Sequence, residues 1–285
     1  MTDFQFAQGS VIGRDHKFAG RNNQDGIYTL HDKDCFIAVV TDGCGSGSDS
    51  EIGAKLGARI IAEEFLRQEK HRSFFDIKHR VKSFVDIDAV NENIIFRLNQ
   101  LLIATISRDS NVKSFVHNNF LFTAVGVCIT PNITYFFNCG DGMVVINEEV
   151  HSYEPFEGNL PPYLGYQLLD KMSDCALRKA SKLKITHCFN TSELDSFLIA
   201  TDGIDHFVNA RKKLLPGKKQ PLGDISQFWK NDKFFLNTDM VRRKLTMANT
   251  SKRGVKGLLF DDTTLVAGRR ITITYQRSTT CRTCT

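Results

Sequence analysis

Four short acidic turns recur along the chain, and three of them directly follow a run of residues typical of a buried β-strand. The turns are Asp42-Gly43, Asp141-Gly142, Asp202-Gly203 and Asp261-Asp262. The strand-like runs are β-branched and aromatic and cover residues 35–40, 120–128, 133–138 and 196–200. Each turn leaves a carboxylate at the rim where several strands can converge. Such a rim of carboxylates is the expected form of a site for hard divalent cations.

Ligand chemistry favours this interpretation over a zinc site. Mg²⁺, Mn²⁺ and Ca²⁺ prefer carboxylate, carbonyl and water oxygens, whereas zinc sites use Cys and His at short, fixed spacings that this sequence does not contain. Asp-Gly is also an ordinary turn dipeptide, because Gly accepts a positive φ. A single such turn would therefore be uninformative. Four of them, with Asp25 upstream, favour a metal site.

Composition predicts one soluble domain. The chain has 285 residues of which 41% are hydrophobic, and no Pro-, Gly- or Ser-rich linker divides it. We expect a single domain over residues 1–275 and a polar, disordered tail over residues 276–285. No apolar run reaches the length of a bilayer, and residues 1–5 lack a basic region followed by an apolar stretch. We therefore expect a cytoplasmic protein that does not contact a membrane.

The eight cysteines are predicted to be reduced, because several lie in apparent core strands, where a free thiol acts as a small hydrophobe. Cys281 and Cys284 have CxxC spacing but no second pair, so a metal knuckle there is disfavoured. The net charge of +5 is modest, and the basic residues are scattered, with small clusters at residues 211–213, 218–219 and 252–253. A solvated surface explains these clusters about as well as a binding partner does. They lack the interleaved aromatics of a nucleic-acid platform, so no nucleic-acid partner is expected, while attraction to an acidic phosphoprotein stays open.

Six short motifs, taken in their order along the chain, resemble those of a known family. The motifs are His16–Asp25, Val40–Gly47, Phe122–Gly126, Gly140–Gly142, Ala200–Gly203 and Asp261–Val266. In this order they resemble the motifs of the PP2C-like (PPM) metal-dependent serine/threonine protein phosphatases. The likeness runs from about Gly13 to Val266. The Gln24-Asp25 pair and the Gly45-Ser46 pair are similar to the bacterial branch of that family.

The resemblance implies an α+β fold, an αββα sandwich in which two antiparallel β-sheets are flanked by helix pairs and the metal site lies at one end. The helical spacings fit two amphipathic helices, marked by Ile52, Leu56, Ile60 and Phe65 and by Val90, Ile94, Leu98 and Leu101. Residues 147–195 correspond to a flap insertion beside the active site. Its segment 159–166 is expected to shape the approach of a protein substrate, although the Pro161-Pro162 pair is equally compatible with an internal packing turn.

The implied activity is hydrolysis of phosphomonoesters by in-line attack of a metal-bridging hydroxide, without a phosphoenzyme. The resemblance implies two Mn²⁺ or Mg²⁺ ions, held by catalytic carboxylates and one carbonyl, namely Asp25, Asp42, Asp202, Asp261 and the Gly43 carbonyl. Asp42 is the expected bridging ligand. Asp141 is a candidate ligand for a third metal, with a hairpin turn as the alternative.

Two residues are candidates for substrate binding. Arg21 is expected to clamp the phosphate, because a guanidinium can bind two phosphoryl oxygens at once. His16 could contact the phosphate or protonate the leaving oxygen, or could be merely structural. The expected partner is a phosphorylated Ser/Thr protein, opposed by a kinase, and the phosphatase is expected to act in signalling as a monomer.

Three positions depart from the family pattern. Gln24 stands where many relatives have Glu, and Cys44 takes the place of a His near the leaving group. Asp262 replaces the usual Asn, and its added charge is expected to perturb the site or attract another cation. These departures motivate one alternative, a catalytically weak phosphatase-like scaffold protein. A hydrolase of small phosphoesters is the other alternative, because the same metals could catalyse that reaction.

Overall fold

Two antiparallel five-stranded sheets form the centre of the molecule in the computed structural model, which describes residues 3–79, 85–107, 110–153, 156, 160–169, 175–252 and 254–271. The β1 sheet has the strand order β1-β10-β9-β6-β7, with β1 Phe4–Val11, β10 Thr263–Arg270, β9 Ser196–Ala200, β6 Gly142–Ile146 and β7 Glu149–Tyr153. The β3 sheet has the order β2-β3-β4-β5-β8, with β2 Gly26–Asp32, β3 Cys35–Gly43, β4 Phe122–Ile129, β5 Ile133–Cys139 and β8 Lys184–Asn190.

Helices cover the outer face of each sheet. The β3 sheet is covered by α2 Ser50–His79, α3 Ile87–Thr105 and α4 Val112–Asn119, and the β1 sheet by α6 Ile204–Asn209, α7 Gln227–Lys230, α8 Lys233–Leu236 and α9 Met240–Asn249. Two short helices lie elsewhere, α1 Arg14–Phe18 and α5 Cys175–Ala180. A third apolar layer separates the sheets, where Phe36, Phe136 and Phe197 are fully buried. The predicted αββα sandwich is confirmed.

The strand predictions are confirmed, but the hairpin alternative for Asp141 is wrong. The chain leaves β5 in the β3 sheet and enters β6 in the β1 sheet, so these two strands do not pair. Gly140 and Gly142, with φ of 87° and 126°, make the sharp crossing on either side of Asp141. Asp141 therefore lies where the chain passes from one sheet to the other.

The predicted helices form, although the face assigned to the first is partly wrong. Ile52 and Leu56 are 43% and 38% exposed. The first turns of α2 lie so close to β4 and its preceding loop that only small residues fit, and a Cβ on Gly57 would collide with the Phe122 ring. Predicted positions that do face the core are Ile60, Phe65, Val90, Ile94 and Leu98, whereas Leu101 is half-buried.

The remaining sequence predictions concern the cysteines, the C-terminal tail, a membrane-spanning helix and the bounds of the domain. Among the described cysteines, Cys35, Cys44, Cys128 and Cys139 are buried free thiols and Cys188 is an exposed one. Cys281, Cys284 and the tail over residues 276–285 lie outside the described residues. Within the described ranges, no helix combines the length and apolar character needed to cross a membrane. The single domain over residues 1–275 stays a prediction.

Candidate metal centre

The acidic turns meet at one end of the two sheets. Asp25 directly precedes β2, Asp42 lies near the end of β3, Asp141 joins β5 to β6, Asp202 follows β9 and Asp261 comes shortly before β10. A cavity of about 80 Å³ opens between them, lined by His16, Asp42, Gly43, Gly45, Asp141, Pro161, Tyr163, Asp202 and Asp261. The structure therefore brings together all the predicted metal ligands, with Asp25 behind the cavity wall, where its charge acts on Asp42.

Hydrogen bonds between the two sheets hold the first of these carboxylates in place. Asp25 is 3% exposed, and its Oδ2 accepts a hydrogen bond from Thr201 Oγ1 at 2.9 Å. Thr201 directly precedes Asp202, so one contact ties the start of β2 to the end of β9. Asp25 Oδ1 is buried without a hydrogen-bond partner among the described residues. This oxygen is a buried acceptor with no donor, in a carboxylate whose charge acts on Asp42.

The carboxylates raise one another's pKa. Burial, and then the charge of Asp202, raise the pKa of Asp42 well above its usual range, and burial with the charge of Asp262 does the same to the pKa of Asp25. The pKa of Asp202 rises to about 7, first through burial and then through Asp141 and Asp261. Burial also raises the pKa of Asp141. The site thus concentrates negative charge that only protons or cations can offset.

These residues fit divalent cations. The donor set consists of carboxylate oxygens with one backbone carbonyl, at Gly43, which is the oxygen chemistry that Mg²⁺ and Mn²⁺ prefer. A carboxylate oxygen buried without a partner, as at Asp25, is costly unless a charge or a donor offsets it. A bound cation would supply that charge.

His16 lies at the edge of this cavity beside two further carboxylates. Its Nδ1 is 3.0 Å from Asp262 Oδ2 and 3.7 Å from Asp261 Oδ1, within ion-pair distance although not aligned for a hydrogen bond. One ligand atom from each of these three side chains lies within 4.8 Å of the other two. The His16 side chain is only 17% exposed, so its ring is held in place by the carboxylates beside it.

Asp262 has a structural role that the sequence did not reveal. Its side chain is 1% exposed, and it accepts hydrogen bonds from the Gly13 and Gln24 backbone N–H groups, each at 2.6 Å. The added charge was expected to perturb the site or attract another cation. The charge does act on the site, because it helps to raise the pKa of Asp25, while the two N–H groups offset part of it. Asp262 thereby joins the start of β10 to both ends of the loop that carries His16.

We expect Asp262→Ala to lower the free energy of unfolding of the metal-free protein by about 3 kcal/mol, because two buried N–H groups would lose a charged acceptor. Urea unfolding followed by circular dichroism at neutral pH measures the change. The matched control is Asp34→Ala, an exposed aspartate at the opposite end of β3. Equal stability of the two variants would contradict the assigned role of Asp262.

Three predicted positions point away from the cavity. Arg21 donates hydrogen bonds to the Gly45 and Gly47 carbonyls at 2.5 Å each, and it does not line the cavity. The Cys44 thiol packs in the core beneath the helices, 3.2 Å from Ser46 Oγ. Gln24 Nε2 donates to the Gly47 carbonyl at 3.2 Å, which leaves Oε1 buried without a partner among the described residues.

Sequence reasoning did not single out Thr201 or Tyr163. The only sequence signal for Thr201 is its place directly before an acidic turn, and Tyr163 follows the Pro161-Pro162 pair of the flap. The Tyr163 ring and Pro161 form one wall of the cavity. Burial raises the pKa of the Tyr163 hydroxyl, so it stays protonated at neutral pH and can donate a hydrogen bond.

Two helix-covered antiparallel sheets with an acidic cavity at one end define a class of α+β proteins, and the sequence places the chain within one family of that class. The protein phosphatase 2C family model matches residues 12–240, and the chain belongs to this family. No sequence among the curated proteins is significantly similar to the chain.

A comparison with solved structures finds several similar chains, each with a TM-score below 0.5. The serine/threonine phosphatase Stp1 from Staphylococcus aureus is 12% identical, with a TM-score of 0.48, over 95% of this chain and 96% of that one. The Mycobacterium tuberculosis serine/threonine phosphatase PstP/Ppp is 11% identical, with a TM-score of 0.49, over 94% and 98%. RsbX, crystallised with magnesium, is 17% identical, with a TM-score of 0.43, over 95% and 97%.

Proposed function

We propose that this protein is a divalent-metal-dependent serine/threonine protein phosphatase. The observation that carries the proposal is the meeting of four aspartates from separate parts of the chain at one small cavity, with a fifth, Asp25, close enough for its charge to act on Asp42. Membership of the protein phosphatase 2C family supports the same conclusion. The substrate is a phosphorylated Ser or Thr side chain of a protein, and water cleaves the phosphomonoester without a phosphoenzyme.

The residues that would hold two Mn²⁺ or Mg²⁺ ions are Asp25, Asp42, Asp202, Asp261 and the Gly43 carbonyl. Asp141, whose charge acts on Asp202, would help to hold a third. When bound, such cations polarise phosphoryl oxygens and lower the pKa of water. The protein itself supplies the fixed carboxylates, which need no rearrangement to receive the ions.

His16 is proposed to act on the substrate from the edge of the cavity. Asp262 and Asp261 lie beside its Nδ1, so the ring is oriented before the substrate arrives. From there it would contact a phosphoryl oxygen or protonate the leaving oxygen. Arg21 would clamp the phosphate only after releasing its two bonds to loop carbonyls. Pro161 and Tyr163 line the same cavity.

The test compares the release of phosphate from a phosphothreonine peptide and from p-nitrophenyl phosphate, with Mn²⁺, with Mg²⁺ and with a chelator. We expect turnover of both substrates that requires the metal and that is lost in Asp261→Ala. Asp34→Ala serves as the control, because Asp34 lies at the other end of β3.

The outcomes separate this proposal from its alternatives. If the folded wild type binds Mn²⁺ but releases no phosphate, the scaffold alternative is correct, and the core position of Cys44 is the feature that motivates it. If p-nitrophenyl phosphate is cleaved but phosphopeptides neither react nor compete, the substrate is a small phosphoester. The opposing kinase, the monomeric state and the cytoplasmic location stay predictions.

A further inference from the structure

The positive charge of the chain is concentrated in one segment. Residues 211–256 contain 13 Lys and Arg and only three acidic residues, whereas the whole chain has 37 and 32. The rest of the molecule is therefore net negative, with 24 basic and 29 acidic residues. A charge asymmetry of this size creates a positive potential on one face of the molecule.

The fold turns these basic residues outward. Helices α7, α8 and α9 bury Phe228, Trp229, Phe234 and Leu245 against the β1 sheet. The Lys and Arg side chains of the segment that the structure describes are exposed, apart from half-buried Lys233 and buried Lys244. We call this outer surface of residues 211–256 the basic face.

Most of the positive charge on the basic face is not neutralised within the described part of the protein. Asp239 pairs with Arg242 and Arg243 at 2.8 and 3.1 Å, and Asp232 pairs with Arg269 at 2.6 Å. The carboxylate of Asp224 accepts a hydrogen bond from a backbone N–H group. All three acidic residues of the segment are therefore already engaged.

Three neighbouring lysines, Lys244, Lys233 and Lys218, form the most concentrated group of positive charge on the basic face. Lys244 is 4% exposed, and no carboxylate among the described residues lies within 4 Å of its ammonium group. Its pKa falls to about 8, first through burial and then through the charges of Lys233 and Lys218. Met247 lies one turn after Lys244 on α9, and its Sδ is 3.0 Å from Lys218 Nζ. Like charges converging without a counter-ion are costly, and a bound anion would relieve the repulsion.

The end of α9 is tied by hydrogen bonds to the loop beside the metal centre. At the end of α9, Asn249 Nδ2 donates to the Ile12 carbonyl at 2.6 Å, and the next residue, Gly13, donates to Asp262. The Lys252 side chain lies against Gly217, beside Lys218 in sequence. From Lys244 to Asn249 the helix rises only about 8 Å. An extended peptide advances about 3.3 Å per residue, so several substrate residues would cover this path.

We propose that the basic face binds an acidic segment of the substrate, several residues away from the phosphorylated side chain, an inference that rests on the proposed phosphatase function. Between residues 211 and 256 the aromatic side chains are buried, apart from half-buried Phe235. The face therefore offers no exposed ring on which the bases of a single-stranded nucleic acid could stack. Attraction at such a face weakens with salt, because the Debye length is about 8 Å at physiological ionic strength.

The test uses two phosphothreonine peptides with one phosphorylation site, one flanked by Asp and Glu and the other by Ser and Gly. We expect kcat/KM to favour the acidic peptide by about tenfold at low salt, mainly through KM. The double variant Lys218→Glu/Lys252→Glu should lose this preference and retain p-nitrophenyl phosphate turnover. The control Lys113→Glu/Lys179→Glu makes the same charge change on exposed lysines of α4 and α5 and should keep the preference.

An equal kcat/KM for the two peptides in the wild type, or an unchanged preference in the Lys218/Lys252 variant, would overturn the proposal. If the wild type cleaves neither the peptides nor p-nitrophenyl phosphate, the phosphatase function itself fails. Binding of the labelled, unphosphorylated acidic peptide, measured by fluorescence anisotropy, then tests the basic face independently of catalysis. Binding that the double variant loses then supports the face, and no binding refutes it. Tighter binding of oligothymidylate or of phosphatidylserine vesicles would assign the face to another class of partner.

Discussion

Asp42→Ala is expected to lower metal-dependent phosphatase turnover by about 1,000-fold, equivalent to about 4 kcal/mol of transition-state stabilisation. Asp42 is the carboxylate on which the charges of Asp202, Asp25, Asp261 and Asp141 all act, so it lies at the centre of the cluster. Its loss removes a carboxylate proposed to hold the cations, and several kcal/mol is the usual size of a metal contribution to charge stabilisation. Initial rates with p-nitrophenyl phosphate over a range of Mn²⁺ concentrations measure the effect.

Asp42→Ala should destabilise the metal-free protein less than the loss of an ordinary buried contact would. Burial and like charges oppose the ionised form of Asp42, so Asp42→Asn should raise the melting temperature of the metal-free protein. The combination of lost activity with retained stability separates a ligand from a folding residue. An Asp42→Ala variant that keeps wild-type turnover, or an Asp42→Asn variant that melts earlier than the wild type, would contradict the assignment.

The second large effect is a dependence of stability on both pH and metal. Burial, with Asp141 and Asp261, raises the pKa of Asp202 from 3.8 to about 7 in the folded state. Between these two values the folded protein keeps a proton that the unfolded chain releases. The contribution of this group to stability therefore falls as the pH rises from about 4 to about 7, by roughly 4 kcal/mol for a shift of this size.

Divalent cations should reverse this loss. At about pH 8, above the raised pKa of Asp202, this carboxylate is ionised and free to bind Mg²⁺, so saturating Mg²⁺ should stabilise the fold, by about 2.7 kcal/mol at a hundredfold excess over Kd. Near pH 5 protons compete with the cation, and the gain should shrink. Urea unfolding of the wild type and of Asp202→Asn, with and without Mg²⁺, isolates this group. A wild type whose metal-free stability follows that of Asp202→Asn at every pH would contradict the raised pKa.

Local sequence signals were sufficient for the strands, but not for helix faces or strand partners. The runs that became β3, β5 and β9 are short and dense in β-branched and aromatic residues, which suit an extended backbone in most surroundings. In α2 the large residues Ile52 and Leu56 fit a helical repeat, yet glycine and alanine face the sheet. Close approach of another element decides which face is buried, and that element lies far away in sequence.

At the metal centre, too, the sequence predicted some features and did not predict others. The acidic turns and their order predicted that carboxylates would gather, and the structure gathers them at one cavity. The positions of Arg21 and Cys44 did not follow from their motifs, because hydrogen bonds to loop carbonyls and packing beneath helices determine where these side chains point. Asp262 was placed correctly in sequence, but its two backbone partners are more than 200 residues away.

The sequence by itself determined which segments become strands, where glycine lets the chain turn, which residue types end each turn, and that residues 211–256 contain 13 Lys and Arg but only three acidic residues. Only the tertiary structure decided which sheet each strand joins, how close the carboxylates come, and which surface the basic residues occupy. The physical reason is the distance along the chain over which each interaction acts. Backbone preferences depend on neighbouring residues, whereas burial and charge repulsion depend on groups that are close only after folding. The raised pKa of Asp202 is one such property.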